Sequence, residues 1–282
     1  MDKFQILVPR KTLYEHVGSL ARSSQHAFLG ISALLFVVSV AVTIAWSGSM
    51  SAMEQMPMPG GWAMSMAWMR MPGQTWVGAA ASFLGMWVVM MLAMMLPSLV
   101  PMLGRYREAV DRTGETRLGW LTALVGVGYF LVWTAFGILV FPLGIALAAL
   151  AMQHPALARI VPIAIGVVVL VAGALQFTGW KARHLACCRE APGRAHPLPA
   201  DGGTALRNGL RLGLHCTHCC VGLMAILLVI GIMDLRAMAA VAAAITVERL
   251  APGGERVARA IGAVVVVAGL FLIARASELD TA

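Results

Sequence analysis

Charge is what this sequence has least of. Only 12% of its 282 residues are Asp, Glu, Lys or Arg, about half the share that a soluble domain carries. Meanwhile 60% are hydrophobic and the mean hydropathy is +0.81. That shortage excludes a water-exposed globular fold. No polar interval is long enough to hide a separate soluble domain, and no run of basic residues is dense enough for a nucleic-acid face. No internal repeat is visible, which speaks against an inverted-repeat transporter. The first apolar run, "HAFLGISALLFVVSVAVTIAW", lacks a small-residue cleavage site and reads as an uncleaved span. Cysteine is scarce, with five residues, none of them in the methionine-rich loop described below.

What remains is apolar runs. Intervals of about 27–46, 77–102, 119–150, 158–180, 207–232, 237–251 and 257–274 approach or exceed the roughly 20 residues that cross a bilayer. The sequence therefore predicts an all-α, polytopic transmembrane helix bundle of six to seven spans. The run at 237–251 is the short one, compatible with a re-entrant or tilted helix. Residues 1–26 read as a cytoplasmic N-terminal segment, 27–274 as a single integral membrane domain and 275–282 as a C-terminal tail. Two connections stand out, a methionine-rich extracytoplasmic loop at 47–76 and a Cys/His cytoplasmic loop at 181–206.

Charge placement supports one orientation. With the N-terminus in the cytoplasm, only Arg70, Arg159, Arg236 and Arg275 among the 21 basic residues fall outside, as the positive-inside bias requires. The net charge of +8 is then a matter of topology, with anionic lipid headgroups its partners. Trp46, Trp76, Trp120 and Trp180 stand at span ends, where interfacial aromatics belong.

Three groups of residues carry chemistry. The outer loop holds Met50, Met53, Met56, Met58, Met64, Met66, Met69 and Met71 within 22 residues. Thioether sulfur is a neutral, soft donor that suits Cu(I) or Ag(I) in an oxidising compartment. The plainer reading is flexible apolar filler beside Trp62 and Trp68. In the second span, Met86, Met90 and Met94 repeat at i, i+4, i+8, with Met91 and Met95 alongside, so thioethers line one helical face. Pro97 and Pro101 free carbonyls near its inner end.

The third group is "HCTHCC". On a helix His215, His218 and Cys219 share one face while Cys216 and Cys220 stack beside it, offering soft-metal ligands roughly 10–20 Å into the membrane. Polar ligands at that depth are costly unless they serve a function. Met90, Met94 and Met95 fall at the same level, with Gln176 and Glu248 bordering it. Glu248 is equally readable as an interfacial partner of Arg249. Cys187 and Cys188, near His184 and His196, would be free thiols in a reducing compartment.

Taken in order, "GMWVVMMLAMMLPSLVP", "LQFTGWKARHLACCREAP" and "ALRNGLRLGLHCTHCCVGLM" with "VERL" resemble the bacterial family of predicted metal-binding integral membrane proteins. The resemblance covers about 46–250. Its pattern carries onto Trp87, Met94, Met95 and Pro97, onto Gln176, Lys181, Cys188 and Arg189, onto Cys216, Cys219, Cys220 and Met224, and onto Glu248. His215 and His218 depart from it. What it implies is metal binding within a membrane, with copper the favoured ion.

The expectation is a cytoplasmic-membrane protein that binds Cu(I) for handling, delivery or translocation. The outer methionines, Met64, Met66, Met69 and Met71 among them, capture the ion. Met90, Met94, Met95, His215, Cys216, His218, Cys219 and Cys220 hold it, and Cys187 and Cys188 exchange it with a copper-donating or copper-receiving protein. Two other classes fit the same residues less well, a thiol–disulfide oxidoreductase and a subunit of a copper oxygenase.

Overall fold

The computed structural model describes residues 10–51, 56–70, 73–111, 117–189 and 201–281. The architecture is all-α: α1 (Arg10–Ser51), α2 (Trp76–Asp111), α3 (Leu118–Gln153), α4 (Pro155–Leu175), α5 (Gly179–Arg189), α6 (Gly202–Ile230), α7 (Leu235–Leu250) and α8 (Gly254–Thr281). All but α5 and α7 are long and apolar enough to cross a membrane. Their outward faces carry Leu34, Val77, Leu139 and Val264, all exposed, as a lipid-facing surface requires. This is a multi-pass membrane protein.

The only strands among the described residues form a small hairpin. Strand β1 (Met56–Met58) pairs antiparallel with β2 (Trp62–Met64). Gly60 and Gly61 turn the chain at positive φ, which a residue with a Cβ resists. The hairpin docks on the α3–α4 corner: Trp62 Nε1 donates to the Ala158 carbonyl at 2.8 Å, and Met64 is buried against Ala148 and Ala151. A 3₁₀ turn (Met66–Trp68) follows. The expected outer loop is thus folded structure over much of its length. Met71 lies outside the described residues, as does the side chain of Met66.

Several ends have local causes. Asp201 accepts from the Thr204 amide at 2.9 Å and starts α6 before the expected 207; those bonds hold its carboxyl below the usual range. Asp234 accepts from the Arg236 and Ala237 amides and starts α7. Thr178 accepts from the Lys181 amide at 3.3 Å, so the chain expected to run from a span into a loop at 181 forms α5 instead.

Helix α7 joins the two ends of the bundle. At its start Ser47 Oγ, near the end of α1, donates to the Met233 carbonyl at 2.8 Å. At its finish Glu248 pairs with Lys181 of α5 at 2.7 Å. Its 16 residues cover about 24 Å, short of a bilayer core but enough to connect these two layers.

Small residues bring the helices into close contact, as expected where lipid offers no hydrophobic drive between them. A Cβ on Gly209 would collide with the Val125 carbonyl, and one on Gly213 would sit 2.9 Å from the Tyr129 carbonyl oxygen. These contacts bind α6 to α3. On the other flank, a Cβ on Gly269 would lie 2.7 Å from the Leu170 amide nitrogen, joining α8 to α4. One large core cluster results, and it holds Met90, Met91, Met94 and Met95 together with Cys188, Cys216, Cys219, Cys220 and Met224.

Candidate metal centre

The close approach of α3 and α6 at Gly213 places the Tyr129 hydroxyl 3.0 Å from Cys216 Sγ. One helical turn on, Cys220 Sγ lies 3.7 Å from Cys216 Sγ and 3.5 Å from Cys219 Sγ. The three α6 sulfurs all fall within 4.8 Å of one another. All are free thiols.

A fourth sulfur comes from α5. Lys181, Leu185 and Cys188 are its buried residues, at i, i+4 and i+7, so one face of the helix turns inward. Lys181 Nζ reaches both Glu248 of α7 and the Cys219 carbonyl of α6. Arg105 donates to the Arg189 carbonyl at the far end. So anchored, α5 sets Cys188 Sγ 3.6 Å from Cys219 Sγ. Donors about 2.3 Å from a shared tetrahedral ion lie about 3.8 Å apart, a spacing that the three α6 sulfurs, all within 4.8 Å of one another, approach; Cys188 adjoins Cys219 and lies outside that mutual group. Cys187 is exposed, on the face of α5 away from the cluster. The adjacent cysteines therefore part company, a division that the helical period of Lys181, Leu185 and Cys188 encodes.

The cluster has a cation. Arg249 is 4% exposed; its Nη1 lies 2.9 Å from Ser98 Oγ, 3.5 Å from the Tyr129 hydroxyl and 3.4 Å from Cys216 Sγ. Its Nε and Nη2 have no hydrogen-bond partner among the described residues. The neighbouring carboxylate, Glu248, faces Lys181 instead, so the reading of Glu248 and Arg249 as partners does not hold. Arg249, Ser98 and Tyr129 were not among the site residues expected from sequence. The signal for Arg249 is slight: an arginine beside an acidic residue at the end of an apolar run.

The histidines of "HCTHCC" face α5. His215 Nδ1 faces His184 Nδ1 of α5 at 3.4 Å, and the His218 ring stacks on that of His184 with centroids 4.9 Å apart. Trp180 packs edge-on against His184. Burial, followed by the nearby His218 and His215 rings, pushes His184 below the ordinary imidazole range. Gln176 is buried beside Glu248, and its Oε1 has no partner among the described residues.

Methionines connect the hairpin end with this layer. Met69 and Met86 line a cavity of about 90 Å³ together with Trp46, Trp68 and Phe83. Farther along α2, Met86 and Met90 lie beside Met233 with no space between for a water molecule. Met94 and Met95 follow in the buried core, while Met224 lies one turn beyond Cys220 on α6.

No curated protein and no solved structure matches the chain. A family model described as PpoB2, copper chaperone, matches residues 84–272. The matched interval begins within α2 and ends within α8, and takes in all five cysteines, His184, His215, His218 and Arg249. Since it spans well over half of the 282 residues, the chain belongs to the PpoB2 copper-chaperone family.

Proposed function

We propose that this protein binds Cu(I) on Cys188, Cys216, Cys219 and Cys220 and passes it between the two ends of the bundle, exchanging it with a copper-donating or copper-receiving protein. The bundle sits in a bacterial cytoplasmic membrane with its N-terminus and α5 on the cytoplasmic side, where thiols stay reduced. Met69, Met86, Met90 and Met94 form a ladder of weak, neutral donors leading from the hairpin end. Ligand exchange along such a ladder lets an ion move, because no single step holds it too firmly. Met64, Met66 and Met71 belong to the capturing hairpin region, while Met95, Met224, Gln176 and Glu248 shape the surroundings of the thiols.

The observation that carries this reading is the contact of Arg249 with Cys216. A guanidinium stays protonated, and burying it without a counter-charge is costly. With two of these sulfurs ionised and the other two kept as thiols, the Cu(I) site carries one net negative charge, which one guanidinium neutralises. The thiolates are soft donors suited to that ion, and the hydroxyl of Tyr129 donates to Cys216. Thiol–disulfide exchange is less well served, because the clustered sulfurs are all buried and attack by a partner needs access.

The test is metal analysis of protein purified from copper-supplemented cells. Serine is nearly isosteric with cysteine yet a poor donor to Cu(I). A Cys216→Ser, Cys219→Ser, Cys220→Ser variant should insert and fold with a loss on the order of 1–2 kcal/mol, while losing most of its copper. Unchanged copper in a well-folded triple variant would mean that the cysteines only pack.

A further inference from the structure

We propose that a water-filled passage runs from the α5 end of the bundle to Cys219, with Gln176 and Lys181 as its inner wall, and that it carries off the protons displaced from the thiols when a metal binds. The second part rests on the function proposed above; the passage itself does not.

Three observations carry it. Between the end of α4, α5 and the start of α8 lies a cavity of about 280 Å³, with Gln176, Thr178, Lys181, Ala182, Glu255 and Arg259 in its walls. Arg259 and Glu255 keep 61% and 56% of their side-chain surface exposed, so the cavity opens among charged groups. An apolar cavity stays dry, whereas one of this volume with polar walls holds several waters. The second observation is a smaller gap of about 10 Å³, bordered by Trp180, His218 and Cys219 and again by Gln176 and Lys181. That is room for one water. Gln176 and Lys181 therefore stand between the gap at the thiols and the open cavity.

Third, this wall has polar groups to spare. Gln176 is 5% exposed and Lys181 4%. The Gln176 Oε1 and Glu248 Oε1 acceptors are buried with no partner among the described residues. Lys181 Nζ donates to the Cys219 carbonyl and to Glu248 Oε2, which leaves one of its three N–H donors. Buried groups that find no protein partner are ordinarily satisfied by water. A water between Gln176 and Lys181 meets an acceptor and a donor, with Cys219 bordering the same gap.

The passage suits the chemistry of the cluster. When Cu(I) takes the place of a thiol proton, a Cu–S bond forms and the S–H bond breaks. The electron pair stays on sulfur, and no group changes oxidation state. The proton passes to the water in the gap, then to the cavity waters and the solvent. The thioethers along α2 have no proton to give and are only weak acceptors, so that side of the cluster offers no such exit.

The experiment uses metal-free, detergent-solubilised full chain carrying Cys187→Ser and Ala182→Cys, since Ala182 lines the cavity and is partly buried. The probe is a methanethiosulfonate bearing a quaternary ammonium group. The expected result is one label per chain, absent when Ala182 is kept. After transfer to heavy water, the S–H stretching band of the cluster thiols should convert to S–D, several-fold more slowly in labelled than in unlabelled protein. Gln176→Leu, which removes the acceptor, should also slow the exchange, and Gln176→Asn, which keeps it, should not. With Cu(I) added and a pH indicator present, the label should slow copper loading and proton release together, with copper per chain at equilibrium unchanged. No label at position 182 in folded protein, or exchange that the label leaves unaltered, overturns the passage. Slowed exchange with unslowed copper loading overturns its part in proton release. Failure to bind Cu(I) overturns the thiolate reading instead, and the S–H exchange still decides the passage.

Discussion

Arg249 Nη1 lies 3.4 Å from the sulfur of Cys216, while the carboxylate next to it in sequence, Glu248, pairs with Lys181. A buried cation is thus paired with a thiol, in the layer where the helices α2, α3, α6 and α7 meet. Copper loading and protein stability should respond in opposite ways to its removal. In Arg249→Met protein the metal-free form should be as stable as the parent or more so, since a buried charge is gone. Its affinity for Cu(I) should fall roughly 100-fold, or ~3 kcal/mol. Competition with a Cu(I) chelator, beside thermal unfolding of the metal-free protein, reads both; a variant that loses stability but not affinity would make Arg249 purely structural.

Gly213 sets the distance between α3 and α6. Alanine there would crowd the Tyr129 carbonyl and the Val132 side chain, at 2.9 and 3.0 Å. Overpacking of this kind costs about 1–3 kcal/mol, and it should also lift the Tyr129 hydroxyl off Cys216 and weaken copper binding. Gly104, in α2 with nothing within 4 Å of an added Cβ, is the control: alanine there should stabilise by about 0.5–1 kcal/mol. Equal thermal shifts for the two substitutions would contradict the close approach.

Leucine replaces methionine at little cost in volume, usually under about 1.5 kcal/mol, but offers no donor. Met69→Leu, Met86→Leu, Met90→Leu protein should therefore keep its copper at equilibrium and load it several-fold more slowly. Uptake of Ag(I) by intact cells checks the rate. Zinc uptake should be unaffected. Full silver uptake in the leucine variant would reduce the ladder to apolar packing.

Orientation is open to direct measurement. A reporter fused after Gly60, at the hairpin tip, should be active outside the cytoplasm, and one fused after Arg194 inside it. The reverse pattern would place the thiols towards the opposite compartment.

Much of the fold was legible because a bilayer leaves few options. Long apolar runs must be helices when no water is present to satisfy backbone groups, and the observed helices fall on the expected runs, with α1 and α8 longer at both ends. Two of the boundaries that moved are set by single polar side chains: Asp201 capping α6 and Thr178 starting α5. Neither cap interrupts the apolar pattern, so hydropathy alone passes over them. The folded hairpin was hidden because methionine density says what a segment is made of, not that Trp62 will reach the Ala158 carbonyl.

The composition of the site was determined by the sequence: soft sulfur and imidazole ligands concentrated in "HCTHCC", thioethers at helical spacing in α2, and a second pair of cysteines before α6. Its partition was decided only by tertiary structure. Residues three and four apart on α6 read as a shared face, which grouped His215 and His218 with the cysteines. Yet a helix in a bundle has neighbours on different sides, and each neighbour takes a different sector. Tyr129 of α3 and Arg249 of α7 meet Cys216, whereas α5 presents Cys188 to Cys219 and His184 to His215 and His218. Which ligands converge depends on the rotation and approach of these helices, set by Gly209 and Gly213 on α3 and by Lys181 on Glu248. Those contacts join residues up to 151 positions apart, as Ser98 and Arg249 are, and no periodicity within a single helix records them.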